Sequence, residues 1–314
     1  MSNTTRWRIS TGTFINLLGK LDTVDNDSLG DPTIRNLDVQ KVFNDDPEET
    51  FNNTVVHFNY FNISYEKVSN VDETSVVNKN FLILYEMNNS IYAIIDKNSG
   101  AKSLLRKLFS FNGRGEVVQV NHNITSNMIV WLISMVYYSD ASFTFNDKRL
   151  EIDSIIGFKG NTEDSLNKVS ATGDGIMNIL STLSFLLESS SLKQVKIRLE
   201  YDVHQNLELK IDTNNTIEIS IDKYLGSYSN DEDFPNYSPT DGHLIFLQYL
   251  LVYCELLPII RQWFEESTDN PAPNENDQEA NRYNHWGEDD YKEFLTSVSN
   301  DLMKKVQEKQ DALN

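Results

Sequence analysis

Apolar residues at helical spacing open the chain. In "TGTFINLLGKL", Thr13 precedes the apolar positions Phe14, Leu17, Leu18 and Leu21. Threonine is a good helix N-cap, and residues three and four apart lie on one face of a helix. The pattern therefore predicts a short helix with one buried side. The polar, acidic residues 22–53 that follow carry no such pattern, and their acidic clusters are predicted to lie in loops.

Longer apolar stretches predict strands and a buried helix in the rest of the first half. "TVVHFNYFNISY" has strand character, and "FLILYEM" and "IYAIIDK" predict a buried hairpin turned by Asn88 and Asn89, which tolerate positive φ. "NSG" at residues 98–100 ends this hairpin, "AKSLLRKLF" predicts a short helix, and "EVVQV" predicts a strand. "SNMIVWLISMVYY" is apolar on nearly every side of a helix, which predicts burial.

The second half contains the clearest alternation of apolar and polar residues. "VKIRLEYDV", "LELKID" and "IEISID" alternate strictly, so they predict a three-stranded meander with one buried face. "SFTF" and "RLEIDSIIGF", joined by Asn146 and Asp147, predict a further hairpin. Helical spacing predicts helices in "DGIMNILSTLSFLLES" and in residues 241–264, the latter kinked or broken at Pro258.

The chain closes with a polar segment and an amphipathic stretch. Residues 265–285 include "EESTDNPAPNENDQEA", which is acidic, contains prolines and lacks apolar periodicity, so it predicts a linker. Residues 286–314 predict a helix with Asp289 and Asp290 near its positive N-terminal end. Its apolar stripe consists of Tyr291, Phe294, Leu295, Val298, Leu302 and Val306.

Together these elements predict an α+β protein in which antiparallel meander sheets pack with buried helices. The length of 314 residues suits one large domain or two smaller ones. The predicted regions are a mixed N-terminal region (1–140), a meander sheet with packing helices (141–264), an acidic linker (265–285) and a C-terminal amphipathic helix (286–314).

Charge narrows the functions expected of this fold. The chain has 47 acidic and 27 basic residues, a formal net charge of −20 and a pI near 4.6. Such a surface repels phosphate backbones, so direct binding of nucleic acid is not expected. A partner with a basic patch is favoured instead, because complementary fields speed encounter and select register.

The single cysteine and the apolar stretch around it indicate the compartment. Cys254 lies among large apolar residues in "LQYLLVYCELL", which predicts a buried thiol and a reducing environment. The longest apolar stretch contains Gln248, Glu255 and Pro258, which favours a buried helix over a membrane span. The N-terminus lacks the apolar core of a signal peptide. A soluble cytoplasmic protein with no membrane partner is therefore expected.

The meander also suggests a row of carboxylates. Keeping its apolar side chains on one face pairs Val203 with Leu207 and puts Asp202, Glu208 and Asp222 in one row that contains no base. Carboxylates at a cross-strand spacing of roughly 5 Å repel one another. The row would then be hydrated, partly protonated, or neutralised by Mg²⁺, Mn²⁺ or a partner's basic side chain.

A metal-dependent nuclease or phosphohydrolase is the alternative function that this row suggests. Its candidate catalytic residues are Asp202, Glu208, Lys210 and Asp222, of which Asp202, Glu208 and Asp222 would bind Mg²⁺ or Mn²⁺ and Lys210 would support the attacking water. The competing interpretation is a solvated face of surface ion pairs. The five histidines lack the spacing of a zinc site, and the common hydrolase, protease and NTPase motifs do not occur.

Binding is the preferred hypothesis for function. Acidic clusters in loops are exposed, and a dense acidic surface can mimic DNA in a basic nucleic-acid site. The chain is expected to be an acidic interaction, regulatory or inhibitor subunit for a basic partner, such as a nucleic-acid-handling protein in phage defence or counter-defence, and to need no cofactor. The candidate partner-binding residues are Trp286, Asp289, Asp290, Tyr291, Phe294, Leu295 and Val298.

The C-terminal helix leaves two arrangements open. Its apolar stripe is long enough to dock on its own domain or to pair with a second copy of the helix in a homodimer. Both arrangements would bury the same residues.

Overall fold

The structure, a computed structural model, resolves two compact units. It describes residues 3–69, 74–113, 115–139, 141–162, 168–172, 184, 186–187, 189–229, 244–269 and 285–312. The first unit comprises Met1–His122, Asn215–Ile219 and Tyr228–Leu256, and the second comprises Asn123–Asn214, Ser220–Ser227 and Leu257–Asn314. The division does not follow the contiguous regions 1–140 and 141–264, because two later segments return to the first unit. Thr4, for example, exchanges backbone hydrogen bonds with Ile217.

A largely antiparallel sheet forms the centre of the first unit. Its strands are β1 (Thr5–Ile9), β2 (Ile34–Lys41), β3 (Glu48–Phe51), β4 (Thr54–Val68), β5 (Ser75–Met87), β6 (Ser90–Ile95) and β7 (Val117–Gln119). The order of these described strands is β2-β4-β5-β6-β1-β7, with β3 also paired to β4. Every described pairing in this sheet is antiparallel.

The second sheet belongs to the later half of the chain. Its strands are β8 (Ser142–Phe145), β9 (Lys148–Thr162), β10 (Lys168–Thr172), β11 (Ser189–Tyr201), β12 (His204–Asp212) and β13 (Ile217–Ser220). The described strands follow the order β10-β9-β11-β12-β13, with β8 paired to β9. The predicted meander is thus the sequence of neighbours β11, β12 and β13.

Helices complete the α+β fold. The described α-helices are α1 (Phe14–Thr23), α2 (Asn26–Leu29), α3 (Ala101–Leu108), α4 (Ser126–Tyr137), α5 (Ile245–Leu251), α6 (Leu257–Asp269) and α7 (Glu288–Asp311). A π-helical stretch spans Val252–Leu256, and short 3₁₀ turns span Ile221–Lys223 and Ser227–Ser229. The predicted α+β class, with meander sheets and a C-terminal helix, is confirmed.

Both faces of the first sheet are covered near its centre. On one face, Leu17 of α1 and Leu105 of α3 share a core with Phe61 of β4. On the other face, Phe246 of α5 lies 5.6 Å from Phe58, measured between ring centroids. Burial on both sides explains why β4 and β5 contain continuous apolar runs instead of simple alternation.

Local signals correctly predicted several elements. Thr13 caps α1 by accepting a hydrogen bond from the amide of Asn16. Asn88 and Asn89 turn the β5–β6 hairpin with φ values of 52° and 57°. Asparagine tolerates this left-handed region, as a two-residue hairpin turn requires. Asn146 and Asp147 turn the β8–β9 hairpin in the same way, with φ values of 48° and 64°.

The prediction that the acidic clusters of residues 22–53 lie in loops is wrong where these clusters fall in α2 and β3. This stretch contains α2, β2 and β3. Strand β2 pairs with β4, but its residues are mostly exposed or half-buried, so its sequence carries little apolar alternation. Backbone pairing with a longer neighbour, and not an apolar face of its own, holds β2 in the sheet.

The apolar stretch around Cys254 forms helices with an irregular centre. The predicted break at Pro258 is instead the π-helical stretch Val252–Leu256, and Pro258 lies in the first turn of α6, where proline is tolerated. The helical segment Ile245–Asp269 is long and apolar enough to cross a membrane, but 78% of its most apolar window is buried inside the protein. This burial favours a core helix.

Two predictions fall wholly or partly outside the described residues. Of the helix predicted in "DGIMNILSTLSFLLES", residues 184, 186 and 187 are described, and the last residue, Ser189, begins β11. Of the predicted linker 265–285, Glu265–Asp269 form the end of α6, so this part of the prediction is wrong, and residues 270–284 are not described. The predicted C-terminal helix is confirmed as α7.

Candidate functional site

The predicted pairing of β11 with β12 is wrong by four residues. Leu199 lies opposite Leu207, and Arg198 lies opposite Glu208. Asp202 and Val203 form a tight turn in which Asp202 has a φ of 53° and Val203 is exposed. Both the predicted and the observed register keep the apolar residues on one face, because they differ by an even number of residues. The apolar pattern alone therefore cannot distinguish them.

The corrected register changes the chemistry of the predicted carboxylate row. Glu208 is 2% exposed and forms ion pairs with Lys196 at 2.8 Å, Arg198 at 2.9 Å and Lys223 at 3.0 Å. Burial alone would raise the pKa of Glu208, but these three hydrogen-bonded cations outweigh it and lower the pKa to about 2. We call Lys196, Arg198, Glu208 and Lys223 the Glu208 cluster. The expectation that the row contains no base is wrong.

The other members of the predicted metal site lie apart from this arrangement. Asp202 lies in the hairpin turn and is exposed, Asp222 lies in the 3₁₀ turn Ile221–Lys223, and Lys210 lies opposite Lys196 on β12. Among the described residues, no three histidine, cysteine or acidic side chains are grouped as a metal site requires. Because the carboxylate of Glu208 already accepts from three cations, it offers a divalent metal a poor ligand.

Several of the predicted partner-binding residues contact other residues of the second unit. The indole of Trp286 is buried and donates to the side chain of Asn127 at 3.0 Å. Phe294 and Val298 are fully buried, and the ring of Phe294 lies 5.6 Å from that of Tyr137 on α4. Helix α7 therefore docks on its own unit, and these three side chains cannot contact a partner while it is docked.

The polar residues at the start of α7 also have partners within the chain. Asp290 accepts from the amide of Gly287 at 2.8 Å and lies 2.7 Å from the imidazole of His285, so it caps the helix. Asp289 is exposed but pairs with Lys292 at 3.3 Å. Tyr291 and Leu295 are half-buried along the docked side of the helix. This segment is accordingly less suited to a partner than the sequence predicted.

An acidic pocket in the first unit is open to a partner, unlike the docked side of the C-terminal helix. We define it by its lining residues Thr13, Phe14, Ile15, Asp46, His57 and Glu86, which surround a cavity of about 310 Å³. Phe14 and Ile15 come from the first turn of α1, His57 from β4 and Glu86 from β5. All of these elements belong to the first unit.

The strands align charged side chains along one edge of the acidic pocket. Glu48 of β3 and Glu86 of β5 lie on either side of His57, directly opposite it on their strands. Glu48 contacts the imidazole of His57 at 3.5 Å. Within the described part of the chain, the carboxylate of Glu86 has neither a basic nor a hydrogen-bonding partner. Glu86 is thus a carboxylate that an external cation can approach.

The buried Asn59 holds Asp46, another carboxylate of the acidic pocket, in place. Asn59, which is fully buried, donates to the carboxylate of Asp46 at 2.8 Å and to the backbone carbonyl of Phe43 at 3.1 Å. Asp46 also pairs with Lys41 at 3.2 Å. Because Asn59 lies on the central strand β4, the loop that carries Asp46 is tied to the rigid part of the sheet.

The apolar side of the acidic pocket is unusually open. Ile15 is 78% exposed, and Phe14 beside it is buried in the core of the unit. Isolated exposed apolar residues are common, but Ile15 lies beside carboxylates in a concave site. The pocket therefore combines negative charge with an apolar surface, a combination suited to the long side chain of lysine or arginine.

The sequence contains only a faint signal for this pocket. Glu86 ends an apolar run, and His57 interrupts another, so both look like edge positions of buried strands. Their proximity depends on the β4–β5 register, and that of Asp46 depends on a loop folded by Asn59. A comparison with known protein families finds no matching family model, and a search of curated proteins finds no match either.

Proposed function

We propose that the protein is a cytoplasmic interaction or regulatory subunit that binds a basic protein partner, and that the acidic pocket receives a lysine or arginine side chain of that partner. The observation that carries this proposal is the open carboxylate of Glu86 beside His57, Asp46 and the exposed Ile15. The carboxylates attract the charged head of the partner's side chain, while Ile15 contacts its methylene stem.

The net charge of −20 supports the same proposal at longer range. A negative field steers a basic partner toward the protein and weakens as salt is added. A protein that handles nucleic acids has a suitable basic surface, and such a partner in phage defence or counter-defence is the extension that we propose. The metal-dependent nuclease is not carried forward, because the cations around Glu208 oppose metal binding.

A labelled tetra-arginine peptide tests the pocket directly. We expect its fluorescence anisotropy to report binding at low salt and weaker binding at high salt. Glu86→Gln should weaken binding by about fivefold, since it removes an open carboxylate from the site. Ile15→Ser should also weaken binding although it changes no charge.

The matched control is Glu308→Gln, which removes a carboxylate from the exposed end of α7. This variant should bind the peptide within about twofold of the unaltered protein. If Glu308→Gln weakens binding as much as Glu86→Gln does, the peptide senses only the overall charge, and the acidic pocket is not its site. Binding that is unchanged at high salt would contradict the electrostatic mechanism.

A further inference from the structure

A second cavity in the first unit is lined by lysines. Its volume is about 200 Å³, and it lies between strands β2 and β4, the end of β6 and helix α3. Lys67 comes from β4, Lys97 follows β6, and Lys107 comes from α3. We call this site the lysine cavity; its charged and serine lining residues are Asp31, Lys67, Lys97, Ser99, Ser103 and Lys107.

The charge in the lysine cavity is opposite to that of the chain as a whole. Three lysines face one aspartate there, whereas the protein carries a net charge of −20. Asp31 pairs with Lys107 and also accepts from the hydroxyl of Thr33 at 2.7 Å. The hydrogen bond from Lys107, followed by that from Thr33, lowers the pKa of Asp31 to about 2. Asp31 is therefore committed to Lys107.

Lys67 and Lys97 remain without a carboxylate. Within the described ranges, neither ammonium group forms an ion pair, and Lys97 lies 5.8 Å from the centre of the Tyr65 ring. Lys67 is exposed and Lys97 is half-buried, so an anion from solvent can approach both ammonium groups. Two positive charges in one concavity repel each other unless an anion joins them.

Helix α3 contributes further anion-binding groups to the same cavity. It starts after Gly100, which has a φ of 78° and provides no side-chain cap. The amide of Ala101 donates to the carbonyl of Asn98 at 3.3 Å, so the amides of Lys102 and Ser103, together with the helix dipole, favour a negative charge at this end. The hydroxyls of Ser99 and Ser103 line the cavity beside it. Lysines, hydroxyls and a helix N-terminus are the groups with which proteins bind phosphate.

We propose that the lysine cavity binds a phosphate group, either free or carried by a small molecule. Lys67 and Lys97 neutralise the phosphate charge, and the hydroxyls of Ser99 and Ser103 and the amides of residues 102 and 103 donate hydrogen bonds to its oxygens. The volume suits a small ligand, and the negative surface elsewhere on the protein disfavours a polynucleotide. This site shares no lining residue with the acidic pocket, so the inference does not rest on the proposed function.

Calorimetric titration at low salt tests this proposal with inorganic phosphate, AMP and adenosine as probes. We expect phosphate and AMP to bind and adenosine to give no heat. Tighter binding of AMP than of inorganic phosphate would indicate a phosphorylated molecule, and equal binding would indicate a site for free phosphate; both support phosphate recognition. Amide chemical shifts of residues 100–103 should move during the titration with phosphate.

Lysine variants locate the binding site. Lys67→Gln and Lys97→Gln should each weaken phosphate binding by about tenfold, which corresponds to about 1.4 kcal/mol. The matched control is Lys102→Gln, because Lys102 is exposed on α3 but does not line the cavity. It should leave the affinity within about twofold. Circular dichroism establishes that each variant is folded.

Two results would overturn the proposal. One is the absence of heat and of shift changes at residues 100–103 with millimolar phosphate. The other is an equal loss of affinity in Lys102→Gln and Lys97→Gln, which would assign binding to the general charge of α3.

Discussion

The lysine cavity of the first unit and the Glu208 cluster of the second unit both gather cations in a strongly acidic chain, yet the cations have different partners. In the Glu208 cluster, three cations surround one buried carboxylate of the protein itself. Among the described residues, Lys107 is the only lysine of the lysine cavity that has such a partner. The comparison shows that a group of basic residues is structural when the fold supplies its counterion, and is a candidate binding site when it does not.

The same comparison explains why the predicted metal site does not suit a metal. The apolar pattern of the sequence predicts that Glu208 lies beside other carboxylates, but the observed β11–β12 register places it beside bases. Its negative charge is therefore already balanced. Because its observed neighbours are bases and not carboxylates, Glu208 is better explained as a stabilising residue than as a catalytic one.

The largest expected effect is on the Glu208 cluster. Glu208→Gln should lower the free energy of unfolding by about 3 kcal/mol, because it leaves three cations around a neutral group. Urea denaturation measures this change. Glu200→Gln, at an exposed position on the neighbouring strand β11, should change stability by less than about 0.5 kcal/mol. Equal stability of the two variants would show that the Glu208 cluster does not stabilise the fold.

A pH dependence of stability should accompany both paired carboxylates. The pKa values of Glu208 and Asp31 are lowered to about 2 in the folded protein. Each group therefore binds its proton more readily in the unfolded chain, where its pKa is near 4. Their contribution is fully present above about pH 5 and is lost as the pH falls toward about 2, by about 2 kcal/mol for each group.

Denaturation curves from about pH 6 to about pH 2.5 check this dependence. Glu208→Gln and Asp31→Asn should each flatten the acid limb of the stability profile. An acid limb identical to that of the unaltered protein in both variants would mean that other carboxylates dominate acid unfolding.

The smallest expected effects are on stability, and they distinguish Lys107 from Lys97 in the lysine cavity. Without phosphate, Lys107→Gln should cost about 1 kcal/mol, because it removes the partner of the partly buried Asp31. Lys97→Gln should change stability by less than about 0.5 kcal/mol, because it removes no ion pair. Thermal denaturation of the two variants in phosphate-free buffer checks the difference. A larger loss of stability in Lys97→Gln than in Lys107→Gln would make Lys97 a structural residue and would count against the proposed phosphate site.

Elements encoded by neighbouring residues could be predicted from the sequence. The cap at Thr13 and the asparagine turn at residues 88–89 follow from local spacing and are observed. The predicted stripe of α7 is buried at Phe294 and Val298 but exposed at Val306. Strand β2 could not be found in this way, because it is held by pairing with β4 and has few buried residues of its own.

The candidate sites were harder to predict for the same physical reason. Lys67 lies thirty residues before Lys97 in the sequence, and it lines one cavity with Lys97 and Lys107 only because β4, β6 and α3 belong to one unit. The local signal was "NSGAKS" at residues 98–103, in which small residues precede a helix without a strong cap. Taken alone, these residues indicated only the end of a hairpin.

The buried thiol of Cys254 is a probe for the opening of the first unit. It is the only cysteine in the chain, and burial raises its pKa to about 11. A thiol reagent can therefore modify the native protein only while its surroundings are transiently exposed. The rate of labelling, followed by the mass added to the intact chain, then measures how often this core opens.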